Sequence, residues 1–502
     1  MDEWDCITCQ FHVAFQGEVL PGISYVTEVD PAVSVSHEEF PRLPLKSIGL
    51  SSRVADVKYV LDDIETLGIK QSISGMEMPR VLTTQDTPDA IEYRCNGKNY
   101  YFRKDQIDML DAYMKPLAEK NIPVIMRYQN PPYLCPETPE EIVDIIIHPD
   151  YDYDYPSAYM SSFNLRTEEG VEYFIACTQF FMERYASGDR KKGIAYGIEV
   201  ANEVTSAYIW NNQGEMTAWE AMKEYTSVLR ITWLLAKKYC ENFRVYTSFD
   251  QYFAGRHVPA EPLRFYGMKE CINYITEHCH ADGDFPWNIA THPYPENLSY
   301  PDFWNDRDPR WNFETTRITF KNIEVLPAYL AKEEFLYKGQ PRHIAFTEQG
   351  FNTRTEAPYT ELQAKYGYVL AYLKMRKLET IDMFQYYPYM DNPWEFGLNL
   401  GFRYFGSYVN DEQGQIPGGP KPVFEAIMAM DSPDEAKIVA EARDYIGHEI
   451  FDFILNPPPV TEAPSGDGGL TMPHRGINNK KGREAMKRRE LLGAKEEQNF
   501  ST

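Results

Sequence analysis

The sequence lacks any run of about 18 apolar residues, the length that a membrane-spanning helix needs. Its N-terminus, MDEWDCITCQ, has neither the basic segment nor the apolar segment of a secretory signal peptide. From these two absences we expect a chain that does not enter a membrane and that is cytoplasmic, or secreted if a leader precedes this N-terminus.

Positive charge is also scarce. The chain has 50 Lys and Arg against 75 Asp and Glu, which gives a formal net charge of −25 at pH 7. A nucleic-acid partner needs a basic face that opposes its phosphates, so this balance argues against nucleic-acid binding. The ends of the predicted strands are poor in the glycine-rich loops that bind phosphate groups.

Cysteine is sparse and shows no disulfide framework, because eight residues are scattered over 502. Such scatter is typical of reduced thiols in a reducing compartment. The Cys6-Ile-Thr-Cys9 pair is half of a zinc motif without a second half nearby. His278-Cys-His280 comes too late in the chain for the first-strand His-x-His of metal-dependent hydrolase barrels. We therefore predict no metal ion and no organic cofactor.

From Lys46 onward, short apolar runs alternate with longer amphipathic runs, a pattern typical of a parallel sheet with helical crossovers. Eight strands separated by helices indicate an α/β fold of the (β/α)₈ or TIM-barrel type. The predicted strands are 47–50, 70–76, 123–128, 194–200, 244–249, 288–292, 343–346 and 381–386.

Composition divides the chain into three predicted regions. Residues 1–45 are expected to be an N-terminal extension packed on the barrel, and 46–455 the catalytic barrel. Residues 456–502 begin with a Pro-Pro-Pro run and continue as Gly-rich and Lys/Arg-rich sequence, which predicts a disordered basic tail. The segment 422–430, with Pro422 in its first turn, is predicted to be the closing helix.

The active site of such a barrel lies at the carboxyl ends of its strands. The predicted strand ends are rich in carboxylates, amides and aromatic rings, which suit the hydroxyl groups and ring faces of a carbohydrate. The fourth strand ends in Asn202-Glu203 and the seventh in Thr347-Glu348. Either glutamate alone could be a solvated strand end, whereas two facing carboxylates are what glycoside hydrolysis requires.

The segment Glu199-Val-Ala-Asn-Glu203 resembles the fourth-strand motif of the clan A glycoside hydrolases, and Thr347-Glu-Gln-Gly350 resembles their seventh-strand motif. The likeness covers roughly 46–431. Further stretches, at 96–102, 291–297 and 348–352, look like an uncharacterised branch of that clan. The resemblance implies a retaining glycosidase that acts on an oligo- or polysaccharide with β-linked or arabinofuranosyl-type bonds.

The resemblance also implies roles for individual residues. Glu203 would be the acid/base, with a pKa raised by partial burial and by the charge of Glu348. Glu348 would stay ionised and act as the nucleophile. Asn202 would hydrogen-bond the 2-hydroxyl of the sugar.

Other predicted site residues surround this pair. His292 and Tyr294 would lie beside Glu348, and Trp394 would form the floor of the sugar site. Arg127 is a candidate ligand that we expect mainly to form a buried pair with Glu199. Asp250, at the end of the fifth strand, is a candidate for substrate contact. Three tryptophans in predicted loops are candidates either for outer sugar subsites or for loop packing: Trp210, Trp304 and Trp311.

Two alternatives stay open at this point. A carbohydrate-binding barrel without catalytic activity would bind glycans and turn none over. A metal-dependent hydrolase would lose its activity to a chelator.

Overall fold

Eight parallel strands close into a barrel in the computed structural model, which confirms the predicted fold class. The structure describes residues 10–15, 18–25, 32, 35–50, 54–132, 137–409 and 414–462. The Cys6–Cys9 pair and most of the predicted tail lie outside these residues. The barrel strands are β1 (Lys46–Leu50), β2 (Gln71–Glu77), β3 (Val124–Gln129), β4 (Ala195–Val200), β5 (Arg244–Tyr246), β6 (Trp287–Thr291), β7 (Ile344–Phe346) and β8 (Ile381–Gln385).

Each strand pairs in parallel with the next along the chain, and β8 pairs with β1 to close the barrel. One main helix follows each strand, and no helix in the described part of the chain has the length and apolar character needed to cross a membrane. These helices, in order from the one after β1, are Val57–Thr66, Lys104–Glu119, Glu168–Phe181, Ala218–Lys237, Met268–Asp282, Val325–Leu330, Tyr359–Arg376 and Pro422–Ala429.

Smaller elements decorate the barrel. Antiparallel strands form a hairpin of Gln10–Phe15 with Glu18–Tyr25, a sheet of Leu82–Thr83, Ile91–Cys95 and Lys98–Phe102, and a hairpin of Arg403–Val409 with Gly414–Pro420. The shorter helices are Met78–Val81, Glu140–Ile146 and Ala207–Trp210, with a π-turn at Met182–Ala186 and 3₁₀ turns at Val204–Ser206, Phe303–Asn305 and Glu333–Phe335.

The helix predicted at 422–430 is present as Pro422–Ala429, with Pro422 in its first turn, and it is the helix that follows β8. Two further helices, Glu435–Ile446 and His448–Leu455, come after it. Both His278 and His280 lie in the last turns of the helix Met268–Asp282. The ring of His278 contacts the Trp219 carbonyl oxygen at 3.1 Å, which accounts for it without a metal ion.

Local sequence signals explain where the helices begin. Thr217 caps Ala218–Lys237, and its hydroxyl accepts the Glu220 backbone N–H at 3.3 Å. The Glu220 carboxylate in turn accepts the Thr217 backbone N–H at 3.0 Å. Such a reciprocal pair satisfies two backbone donors that a helix start leaves open, and a cap of this kind stabilises by about 1 kcal/mol.

The interior of the barrel is filled by side chains. A buried layer lies across its axis, formed by Ile73, Ile125, Tyr196, Tyr246, Ala290, Ala345 and Met383. The two tyrosine hydroxyls are satisfied within the barrel, Tyr196 by the Gln71 side chain and Tyr246 by Asp382, each at 2.6 Å. Because this layer is packed and hydrogen-bonded, it fixes the strand ends that carry the site.

The cysteines in the described residues are all buried and form no disulfide, in keeping with the prediction of reduced thiols: Cys95, Cys177, Cys240, Cys271 and Cys279. Burial raises the pKa of the Cys177 and Cys279 thiols to about 12, so neither is a reactive thiolate at neutral pH.

A buried ion pair fixes the loop that follows β8. The Lys421 ammonium lies 2.6 Å from Asp391 Oδ1 and also donates to Thr353 Oγ1 at 2.7 Å. The Lys421 side chain is 1% exposed. The backbone N–H of Gly401 donates to the same Asp391 oxygen at 3.0 Å. The Asp391 carboxylate therefore joins the two ends of the loop, at Asp391 and Gly401, to the buried Lys421.

Replacing Lys421 with Met is expected to lower the free energy of unfolding by about 3–5 kcal/mol, because it leaves the Asp391 charge buried without a partner. Urea unfolding monitored by circular dichroism measures the change. Lys58→Met is the control, because the Lys58–Asp62 pair is exposed and solvent screens its attraction, so that its loss should change stability little. Equal losses in the two variants would contradict the structural role of Lys421.

Candidate active site

Glu203 lies at the barrel mouth, where the backbone leaves the extended conformation at the end of β4. Its φ of 36° and ψ of 55° lie in the left-handed region, and Ala201 also has a positive φ of 68°. Non-glycine residues adopt this region rarely, and often at functional sites. The Glu203 backbone N–H donates to Ser248 Oγ at 3.1 Å, and the Val204 N–H donates to the Ser248 carbonyl at 2.9 Å. Ser248, just after β5, thus holds the backbone that carries the Glu203 carboxylate.

Glu348, just after β7, receives two donors. Arg127 Nη1 lies 3.1 Å from Glu348 Oε2, and the Tyr294 hydroxyl donates to Oε1 at 3.2 Å. The Arg127 guanidinium also lies over the Tyr387 ring, 5.2 Å from its centre. Both donors stabilise the negative charge of this carboxylate. Tyr294 therefore lies beside Glu348, as predicted.

The predicted ion pair of Arg127 with Glu199 is wrong. The two residues lie opposite each other in the register of β3 and β4, but the guanidinium contacts Glu348. An arginine side chain is long enough to cross the barrel, so its charge pairs with a strand that is not its neighbour.

His292 lies between two carboxylates. Its Nδ1 is 2.8 Å from Glu203 Oε1 and its Nε2 is 3.2 Å from Glu199 Oε1. Glu199 is fully buried, and the same oxygen accepts from the hydroxyls of Ser248 at 2.7 Å and Thr347 at 2.9 Å. His292 also lies beside Glu348, as predicted, with a ring nitrogen within 4.8 Å of a Glu348 oxygen, but its hydrogen bonds run to Glu203 and Glu199.

The two predicted catalytic carboxylates are close together. One carboxylate oxygen of Glu203, one of Glu348 and a ring nitrogen of His292 all lie within 4.8 Å of one another. Three such groups could surround a cation, and they are the only set of this kind in the described residues. Both ring nitrogens of His292 already contact carboxylates, so the imidazole itself balances part of the acidic charge.

The protonation states follow from burial and neighbouring charge. Burial raises the pKa of Glu348 to about 7, although His292 and Arg127 oppose this shift and Glu203 adds to it. Burial disfavours the charged form of His292, but Glu348, Glu199 and Glu203 outweigh it and raise its pKa to about 10. The imidazolium is therefore charged at neutral pH. We expected Glu348 to stay ionised, whereas a pKa of about 7 leaves it protonated in part of the molecules at neutral pH.

Asn202 is buried beside Glu203. Its side-chain oxygen accepts a hydrogen bond from the Gln129 amide at 3.0 Å. The group that Asn202 has left to offer a ligand is therefore its amide NH₂, a donor suited to a hydroxyl oxygen.

Comparison with known proteins places the chain in a family. Residues 47–453 match the model of a family of unknown function, DUF5722. The chain belongs to this family. No curated protein matches this DUF5722 member.

Solved structures similar to the DUF5722 chain include a family 39 glycoside hydrolase from the gut symbiont Bacteroides cellulosilyticus WH2, with 14% identity and a TM-score of 0.45. The match covers 77% of this chain and 63% of that one. A β-glucosidase from Pyrococcus furiosus has 13% identity, a TM-score of 0.48 and coverage of 78% and 87%. A family 1 β-glucosidase from Thermotoga maritima has 12% identity, a TM-score of 0.46 and coverage of 78% and 99%.

The four tryptophans predicted near the site of this DUF5722 member have three different surroundings. Trp304 and Trp311 are buried, and the Trp311 ring packs against Phe453 at 5.5 Å, so both belong to loop packing. Trp394 lies in the loop after β8 and is 57% exposed, and no described contact joins it to Glu203 or Glu348. Trp210 stacks on another ring at the mouth and is described below.

Asp250, a predicted substrate contact, is occupied by protein donors. Its carboxylate accepts from the Ser206 hydroxyl at 2.6 Å and from the Tyr252 backbone N–H at 2.8 Å. Ser206 Oγ also lies 3.2 Å from His257 Nδ1. Sequence reasoning missed Ser206 and His257, because only the folding of the β4 and β5 loops onto each other brings them to the site.

Burial, followed by the charge of Glu203, raises the pKa of Asp250 from 3.8 to about 7. The folded protein therefore binds this proton more tightly than the unfolded chain. The stability linked to Asp250 is fully present below about pH 4 and is lost as the pH rises to about 7.

Asp250→Asn is expected to stabilise the protein at about pH 8 by on the order of 2–4 kcal/mol, because the uncharged amide avoids the cost of a buried charge. The two proteins should have similar free energies of unfolding near pH 4. Urea unfolding at both pH values measures the difference, with Asp62→Asn as an exposed control. A variant that is less stable than the wild type at both pH values would contradict the shifted pKa.

Proposed function

We propose that this protein is a glycoside hydrolase that cleaves a carbohydrate with retention of anomeric configuration. The observation that carries the proposal is the spacing of Glu203 and Glu348, whose nearest carboxylate oxygens lie within 4.8 Å. Retaining enzymes hold their carboxyl groups about 5–5.5 Å apart, whereas inverting enzymes need about 6.5–9.5 Å to admit a water. The observed spacing favours direct attack by one carboxylate.

In the first step, Glu203 as a carboxylic acid donates its proton to the glycosidic oxygen. Glu348 attacks the anomeric carbon, the bond to the leaving group breaks, and a glycosyl ester forms. In the second step, Glu203 takes a proton from water, the water oxygen attacks the anomeric carbon, and the Glu348 carboxylate leaves. Atoms and charge balance in both steps, with the sugar and the protonated leaving group as products.

The contacts of Glu348 support its role as the nucleophile. Arg127 and Tyr294 donate to one oxygen each, which orients the carboxylate and stabilises its anion when it leaves the sugar. A proton on Glu348 blocks the attack, so its pKa of about 7 predicts that activity rises with pH into the neutral range.

The contacts of His292 support the role of Glu203 as the acid/base. When Glu203 gives up its proton, the adjacent imidazolium stabilises the carboxylate that forms. Glu199 holds the opposite side of the ring, and it is fixed in turn by hydroxyl donors from two strand ends. We infer that Glu199 and His292 act as positioning residues for the proton transfer.

A screen with aryl glycosides and with plant and microbial glycans tests this function. We expect hydrolysis of at least one sugar class, and proton NMR should show that the first product keeps the anomeric configuration of the substrate. Inversion would contradict the double displacement. Glycan binding without turnover, unaffected by Glu348→Gln, would indicate the carbohydrate-binding alternative, and loss of activity with a chelator would indicate a metal-dependent hydrolase.

A further inference from the structure

The loop after β8 reaches an opposing part of the barrel rim. In the closed strand order, β8 and β4 are four strands apart in either direction, so their ends face each other across the mouth. Phe396, in the β8 loop, nevertheless contacts rings from the loops that follow β3 and β4. A side-chain contact between these loops requires the chain to extend over the opening.

Three aromatic rings form this contact. Tyr159 stacks on Trp210 with ring centres 5.1 Å apart and planes inclined by 29°. Phe396 meets both rings edge-on, at 5.5 Å from Tyr159 and 6.3 Å from Trp210. The Tyr159 backbone N–H donates to the Ile209 carbonyl at 2.8 Å, which fixes the first two rings together. We refer to Tyr159, Trp210 and Phe396 as the aromatic bridge.

The stem of the β8 loop is rigidly attached. Its start is held by the buried Asp391–Lys421 pair, and its end by hydrogen bonds of Asn399 with the backbone of Thr353. At the tip, Asn392 Oδ1 accepts from the Trp394 backbone N–H at 3.2 Å. The Phe396 ring is thereby carried to the opposite rim, while the residue as a whole remains 59% exposed.

The aromatic bridge lies close to the two carboxylates. Trp210 ends the short helix Ala207–Trp210, which follows Glu203 after a single 3₁₀ turn. On the other side, Glu395 precedes Phe396, and its charge acts on both Glu348 and Tyr294. The bridge thus joins the β4 side of the mouth, which carries Glu203, to the β8 loop, which is next to Glu348 through the charge of Glu395.

A polysaccharide that is cut internally extends beyond the site on both sides, so it needs an open groove across the mouth. A bridge of side chains between facing rims closes such a groove and leaves a pocket. Aromatic rings beside a pocket offer apolar faces to the C–H face of a sugar ring. A terminal sugar fits this arrangement, whereas the middle of a chain does not.

We propose that the aromatic bridge restricts this protein to the ends of carbohydrate chains, so that it releases terminal sugar units and does not cut internally. This inference rests on the proposed glycosidase function, and it adds that the substrate class is chain ends. Phe396 is the specificity-determining residue that completes the closure, because it is the one ring of the three carried by the β8 loop.

The test uses the wild-type protein, with hexasaccharides and the polymer of the sugar class that the glycan screen identifies. The hexasaccharides carry a fluorescent label at the reducing end, and products are separated by chain length early in the reaction. We expect one terminal unit to be lost per event, and the viscosity of the polymer to stay constant. Products of several internal lengths from the wild type would overturn the role proposed for the aromatic bridge, and the glycosidase function would still hold. Absence of turnover on every glycan would overturn both.

Phe396→Ala should open the groove and raise the ratio of internal to terminal cleavage by about tenfold, because the lost ring contacts held the bridge together. Folding is not at risk at this exposed position. Trp219→Ala is the matched control, since Trp219 is also exposed but lies on the outer helix Ala218–Lys237. An unchanged cleavage ratio in Phe396→Ala, or an equal rise in Trp219→Ala, would overturn the assignment.

Discussion

Glu348→Gln is expected to lower kcat on an aryl glycoside by about 10⁴-fold or more, because a neutral amide does not attack the anomeric carbon. The amide keeps the size of the side chain; its oxygen can still accept from Arg127, and its NH₂ can donate to the Tyr294 hydroxyl oxygen. The fold should therefore be retained, and circular dichroism with urea unfolding checks this. The loss should persist with good leaving groups, since both steps of the reaction use this carboxylate.

Glu77→Gln is the matched control for this result. Glu77 ends β2 on the same rim of the barrel and forms an ion pair with Arg80. We expect only a small change in kcat from this control. A second variant, Glu348→Gly, leaves a cavity in which azide can attack in place of the carboxylate. It should yield a glycosyl azide of inverted configuration, and comparable losses in the Glu77 and Glu348 variants would contradict the assigned nucleophile.

Glu203→Gln is expected to lower kcat/KM by about 10³-fold on substrates whose leaving group is a sugar or an alcohol, because such a group needs a proton as it departs. On a dinitrophenyl glycoside the loss in the first step should be much smaller, since that leaving group departs without a proton. Steady-state kinetics with a series of leaving groups of decreasing pKa measures the difference.

The pH profile provides the control for the Glu203 prediction. The limb of the profile that reports ionisation of Glu348 should remain in Glu203→Gln, because that substitution leaves the Glu348 carboxyl group in place. Azide added to Glu203→Gly should give a glycosyl azide of retained configuration. A loss of equal size for every leaving group would show that Glu203 is not the acid.

The barrel strands could be predicted from sequence because each one is buried on both faces. A strand of a parallel sheet covered by helices is a nearly continuous apolar run, and Ile194–Val200 is an example that the structure places at Ala195–Val200. The helix Met268–Asp282 has a weaker signal in the sequence, because four of its seven buried residues are Cys271, Thr276, His278 and Cys279. These residue types do not stand out as an apolar stripe.

The candidate site could be predicted only at the level of its two carboxylates, since each follows a recognisable strand. Side-chain partners depend on reach and direction across the barrel. Arg127 is in register with Glu199 yet contacts Glu348, and His292 contacts Glu203 and Glu199. Asp250 is at the expected strand end, but its loop turns its carboxylate toward Ser206. Side-chain reach decides the partner of Arg127, and loop conformation decides that of Asp250; no local pattern in the sequence specifies either.

The covalent intermediate is the most direct test of the double displacement. The protein would be incubated with a 2-deoxy-2-fluoro glycoside of the sugar that the screen identifies, because the fluorine slows the second step and lets the ester accumulate. Intact mass spectrometry and peptide mapping then locate the label. We predict a mass increase of one fluoroglycosyl unit, carried by the peptide that contains Glu348. A label on any other residue, or turnover of the parent glycoside without an adduct, would contradict the assignment of Glu348 as the nucleophile.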